Sequence, residues 1–130
     1  MNFLSIGAIG GFLAVSLSAF AAHALKGQLS AYAMGIFETA AQYQFYHSLA
    51  LILVALLIQQ KRSSLLCWSG RCFLLGMGLF SGSLYVLSLT GVRWIGAMTP
   101  VGGVFLLLGW AFLAIYGLKV RKPADTLNDT

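Results

Sequence analysis

Acidic side chains are nearly missing from this chain of 130 residues, which holds three Asp and Glu and 8% charged residues in all. A water-soluble domain carries about a quarter of its residues as Asp, Glu, Lys and Arg. So few ionised groups cannot cover a surface that faces water, which excludes an ordinary soluble globule. Long stretches alternating between apolar and polar residues are also missing, which excludes a membrane-spanning strand barrel. The two cysteines, Cys67 and Cys72, have no CxxC spacing and no companion His, so they read as packing or interfacial thiols rather than zinc ligands. There is no Ser-His-Asp set, no GxSxG, no Walker loop and no HExxH. A conventional enzyme is therefore not expected.

What is present is apolar: 59% hydrophobic residues and a mean hydropathy of +0.87. Lipid is the solvent such a surface suits. About 20 apolar residues at about 1.5 Å each cross a hydrocarbon core of about 30 Å. Four stretches meet that length, at about 3–25, 40–60, 66–89 and 99–118. The first has the small residues Ser18 to Ala24 that a signal peptidase favours, but no Lys or Arg precedes it and it is long enough to span. The third has Arg71 close enough to an interface to snorkel. The fourth opens at Thr99-Pro100, a cap followed by a first-turn proline.

Between the first two spans, Leu29, Tyr32, Ala33, Ile36 and Phe37 recur at helical spacing on one side, which predicts a short interfacial helix. The expected fold is thus all-α, a four-helix antiparallel integral membrane bundle of residues 1–118. Residues 119–130 are expected to form a disordered basic and polar tail.

Lys and Arg set the orientation. Lys61, Arg62, Arg71, Lys119, Arg121 and Lys122 fall on the side that holds both termini, against Lys26 and Arg93 on the other. The positive-inside rule puts both termini in the cytoplasm of a bacterial inner membrane, or in the matrix of a mitochondrion. The net charge of +5 reads as topogenic rather than as a nucleic-acid surface, because the basic residues sit in short clusters between apolar runs.

Helices in lipid meet through small residues. Gly7 and Gly11, continued by Ala14, Ser18 and Ala22, make one such ridge. Gly78 and Gly82 make a second, and Gly102, Gly103 and Gly109 a third.

Polar groups inside lipid each ask for a partner or a purpose. On α-helical geometry Tyr43, Gln44, His47 and Ser48 share one arc of the second span, while Glu38, Thr39, Gln42 and Tyr46 share another, and neither arc suits direct lipid contact. Counting along the spans brings His23, Glu38, Gln42, Tyr43, Gln44, His47 and Arg93 to the outer leaflet. They are expected to converge there on a ligand, proton or ion site, or else to act as interhelical glue and an interfacial belt. No cofactor or metal is expected, although His23 and His47 at similar depth offer a haem-ligating pair as an alternative. The partner is the bilayer, with a second copy or another membrane protein as further options, and the function is binding or transport, or an accessory role in a larger complex.

Ser18-Ala19-Phe20-Ala21-Ala22-His23 resembles the Gly-Ala-Phe-Gly-Ala-His stretch of domain-of-unknown-function family 423, which includes the transmembrane protein 256 group. Tyr43-Gln44-Phe45-Tyr46-His47-Ser48-Leu49-Ala50-Leu51 is similar to that family's Tyr-Gln-x-x-His-x-Leu-Ala-Leu signature. Leu79 to Tyr85, Thr99 to Gly103 and Gly109-Trp110 are further matches, and Ala21 departs from the family's usual Gly. The resemblance implies a four-span membrane protein and supplies no activity.

Overall fold

The computed structural model describes residues 1–120. Four helices make up the described residues, each long and apolar enough to cross a membrane. The first, α1 (Phe3–Phe20), runs on through a π-helical turn at Ala21–Leu25. It is followed by α2 (Ala31–Gln60) and α3 (Ser64–Thr90), and a 3₁₀ turn at Arg93–Ala97 leads into α4 (Met98–Val120).

Local chemistry sets the ends. The Asn2 side chain accepts the N–H of Ser5 at 3.2 Å, and the Ser30 hydroxyl accepts that of Ala33 at 3.1 Å, so both helices begin on a capped turn. At the far end of α3, Gly91 takes φ +70° while its N–H bonds to the Leu87 carbonyl. That left-handed position strains any residue with a Cβ by about 1–2 kcal/mol. Gly91→Ala is therefore expected to lower unfolding stability in mild detergent by that amount, and an unchanged melting curve would contradict it.

Successive helices run antiparallel: Gly7 of α1 meets Ile52 of α2, while Ser18 shares a crevice with Glu38. The central pair is α2 and α3, with α1 packed along α2 and α4 along α3. Both described ends thus lie on one side. Leu51, Val54, Leu66 and Phe73 are wholly buried at the centre, with Phe3 and Leu106 added from the flanking helices. The aromatic side chains at the margins include Trp68, whose ring lies 5.1 Å beneath the Arg71 guanidinium. That contact lets Arg71 hold its charge near one interface while its stem covers apolar surface.

The structure corrects three expectations. Among the described residues no separate interfacial helix exists, because residues 31–60 form one helix with no proline or turn inside it. The one-sided apolar pattern packs in part: Phe37 is buried and meets Tyr85 of α3 edge-on at 5.0 Å, while Tyr32 stays exposed. At about 1.5 Å per residue this helix is about 45 Å long, which exceeds the hydrocarbon core. At the other terminus, Lys119 and Val120 belong to α4 rather than to a tail, and the rest of the expected tail, residues 121–130, lies outside the described residues.

The third correction concerns the small residues. Gly7 sits against the Ser48 carbonyl and Ile52, and Gly102 against the backbone of Phe80 and Leu79, so neither position has room for a Cβ. The ridge of α1 is Gly7, Gly10 and Ala14, however, and Gly11 is turned aside with only Ser48 at 3.9 Å. On α3 the close approaches are Gly70, beneath the Phe3 ring, and Gly76, beneath Leu106. Gly78 and Gly82 have nothing within 4 Å, and Gly103 makes ordinary contact with Phe80 at 3.8 Å. A central helix has two seams, and those two glycines of α3 fall on neither.

Candidate functional site

The middle of α2 gathers the polar chemistry. Gln44 is 9% exposed and His47 5%, and both look inward. The Gln44 amide donates to the Gly10 carbonyl of α1 at 2.9 Å, and its oxygen accepts the Tyr85 hydroxyl of α3 at 2.8 Å. One side chain therefore joins three helices. One turn on, the Ser48 hydroxyl donates to the Gln44 carbonyl at 2.7 Å and touches the Met77 sulfur at 3.6 Å.

His47 makes a second junction, this time toward α4. Its Nδ1 lies 2.7 Å from the Tyr43 carbonyl, and its Nε2 lies 3.1 Å from the Trp110 indole nitrogen. A carbonyl only accepts and an indole N–H only donates, so the proton sits on Nδ1 and the lone pair on Nε2. The ring is fixed as one neutral tautomer. Phe73 packs on both partners, 5.6 Å from His47 and 5.0 Å from Trp110, and Tyr43 lies 4.8 Å from Phe80. Two further hydroxyls fasten α4 to α3: Ser69 donates to the Gly109 carbonyl at 2.8 Å, and Ser83 pairs with Thr99 at 2.6 Å.

Between α2 and α4 these rings leave an open-sided groove of 730 Å³, walled by Tyr43, Tyr46, His47, Phe80, Pro100 and Trp110 among others. Its lining is mostly apolar, and its open side faces the surroundings that lipid fills. A smaller crevice of 490 Å³ lies between α1 and α2, with Ser18, Glu38 and Gln42 in its wall.

The seven expected site residues therefore do not converge. Tyr43, Gln44 and His47 belong to the aromatic and hydrogen-bonded centre. Glu38 and Gln42 turn to the α1–α2 crevice, and Arg93 lines a third crevice with Ala33, Ile36, Leu87 and Ser88 beside the Gly91 turn. His23 is exposed on the π-helical turn. Because Gly10 is level with Gln44 and Ser48, His23 lies about 20 Å farther along the axis at about 1.5 Å per residue. The equal depth that a shared haem iron requires of His23 and His47 is not there. Nor does the second arc of α2 avoid the surroundings, since Tyr46 is 48% exposed.

The partners that sequence reasoning left unassigned are Tyr85, Trp110, Phe73 and Ser69. Tyr85 and Trp110 stand within quoted motifs, but counting outward from the loop at Lys61 sets Tyr85 five residues, about 7.5 Å, beyond Gln44, so only the reach of the two side chains lets them meet. Nothing in the order of residues aims Trp110 at His47, because α2 and α4 are not neighbours in sequence.

A family model described as protein of unknown function (DUF423) matches residues 17–103. A UPF0382 membrane protein of Staphylococcus epidermidis is 45% identical over 117 residues, covering 90% of this chain and 95% of its own. One from Staphylococcus saprophyticus is 42% identical over 118 residues, covering 91% and 98%. The UPF0382 inner membrane protein YgdD of Escherichia coli K12 is 40% identical over 119 residues, covering 92% and 91%. No solved structure matches. With four membrane-length helices in a chain that these relatives match over nine-tenths of its length, the protein belongs to the DUF423 family of membrane proteins.

Proposed function

We propose that this protein binds a lipophilic molecule taken directly from the bilayer, without chemical conversion, and that the groove between α2 and α4 is the site. The observation that supports this most is the wall of the groove. His47 and Trp110 bond to each other and to the backbone, so they present flat aromatic faces rather than free polar atoms. Tyr43 and Tyr46 border the same opening. A mostly apolar cleft with a few fixed polar groups is the usual form of a small-molecule site, and rings of this kind favour stacked or edge-on apolar partners. The six basic residues on the side of the termini support a cytoplasmic location for both ends, with the groove opening toward the outer leaflet.

Gly103 gives the test, because it lines the groove and its only near neighbour is Phe80 at 3.8 Å. Gly103→Phe puts a ring into the opening from a position whose Cβ meets only the Phe80 side chain. Protein extracted gently from its native membrane is expected to carry an organic molecule at about one per chain, measured by solvent extraction and mass spectrometry. The Gly103→Phe variant is expected to carry at least about tenfold less, a shift of about 1.4 kcal/mol in binding, with unchanged melting. Equal content in both proteins, or none in either, removes the reading.

A second reading, an accessory subunit of a membrane assembly, draws on the bare Gly78 and Gly82 of α3, where another helix would find close approach open. A partner at fixed ratio in the same extract would favour it.

A further inference from the structure

We propose that the crevice between α1 and α2 is a second site, which receives a primary ammonium group on Glu38. It is independent of the α2–α4 groove, since the two cavities lie on different sides of α2 and share no lining residue. Glu38 is the sole carboxylate side chain among residues 1–120, a stretch that also holds six Lys and Arg. None of those basic residues lines the crevice. The carboxylate sits six residues inward of Tyr32, an exposed ring at the outer end of α2, hence about 9 Å deeper along the helix. Glu38 is exposed and stands two residues outside the expected 40–60 span, at the level of headgroups and water, so its carboxylate is open to an ammonium group from either.

The remaining lining selects the kind of cation. Ser18 and Gln42 add two neutral oxygens to the carboxylate, giving three acceptor groups to match the three N–H donors of a primary ammonium. Ala14, Val15, Ala41 and Phe45 complete an apolar wall. A calcium ion wants six to eight oxygens and magnesium a near-octahedral set, neither of which this wall supplies. Quaternary ammonium groups are held by cages of several aromatic rings, and only Phe45 is present. The ammonium has two sources: the headgroup of an outer-leaflet aminophospholipid, or a free amine from the aqueous side.

Carbodiimide chemistry distinguishes them. The reagent activates the Glu38 carboxylate, a seated amine attacks, an amide forms, and the reagent leaves as its urea. The full chain is placed in phosphatidylcholine vesicles, either doped with phosphatidylethanolamine or bathed in ethanolamine, and the Glu38 peptide is read by mass spectrometry. A phosphatidylethanolamine amide on Glu38 identifies the lipid headgroup, whereas an ethanolamine amide alone identifies the free amine, and either supports the site. The paired change Ser18→Ala with Gln42→Leu is expected to lower the amide yield about tenfold with melting unchanged, and E38Q to abolish it. Absence of amide in both vesicle sets, or a yield indifferent to the paired change, overturns the proposal.

Discussion

Gly102→Ala is expected to lower the unfolding stability of the detergent-solubilised protein by about 3 kcal/mol, at the upper end of the range for overpacking. A methyl group added there meets the amide nitrogen of Phe80, with the Phe80 Cα at 2.8 Å and the Leu79 carbonyl carbon at 2.9 Å. These are backbone atoms of a helix, so no rotamer change relieves the clash. The axes of α3 and α4 must separate, and the seam between them includes the Ser83–Thr99 pair a few residues away. Against a total stability of about 5–15 kcal/mol such a loss shows as a lower melting temperature and a reduced monodisperse yield. Gly82→Ala is the control on the opposing helix. Nothing lies within 4 Å of its Cβ, and an alanine there gains up to about 1 kcal/mol of helix propensity. Equal melting of Gly102→Ala and the unaltered protein, or an equal loss from Gly82→Ala, would refute the assignment of the seam.

The same pair of glycines shows what the sequence can and cannot disclose. Four apolar runs with few charges announce four spans, because a span is set by the length and composition of one segment. The facing of each helix is a property of its neighbours. Both Gly78-x-x-x-Gly82 and the start of α4 present small residues, yet only Gly102 of the latter lies in a seam, since α3 is already committed to α2 on one side and α4 on another. On α1 the ridge runs through Gly10 instead of Gly11, a difference of one residue and about 100° of rotation that a helical wheel cannot resolve without a partner. The missing break before the second span has a similar cause. The segment after Ser30 has a one-sided apolar face whether it rests on lipid or on α3, and the length of α3 decides the matter by offering Tyr85 to Phe37.

For the site, the arc of Tyr43, Gln44, His47 and Ser48 was legible in part: Gln44, His47 and Ser48 turn away from lipid as polar groups within a span must, while Tyr43 is exposed at its edge. Their partners were not, since a hydrogen bond such as Trp110 to His47 joins helices that are not successive. The residues expected beside them scattered for a geometric reason. Nearness to one leaflet fixes depth and leaves the angle around the helix free, so Glu38 and Gln42 reach one crevice and Arg93 another.

Gln44→Leu is expected to cost about 2 kcal/mol, and the way that loss is shared with Tyr85 tests the junction. Hydrogen bonds between membrane helices average about 0.6 kcal/mol and reach about 1.7. The substitution removes two of them, one to Gly10 and one from Tyr85, and it leaves the Tyr85 hydroxyl without its partner, a penalty of about 1–3 kcal/mol when the group stays dry. Tyr85→Phe alone is expected to cost about 1 kcal/mol, because it orphans only one oxygen of the amide. The double variant then loses less than the sum of the two, with a coupling of about 1 kcal/mol, since neither orphan remains. Strict additivity in a detergent unfolding cycle would mean that the two side chains do not bond. The measurement also separates scaffold from site. Gln44 and Tyr85 line neither the α2–α4 groove nor the α1–α2 crevice. Folded Gln44→Leu protein should therefore keep its extracted molecule per chain, whereas Gly103→Phe should lose that molecule and keep its melting temperature.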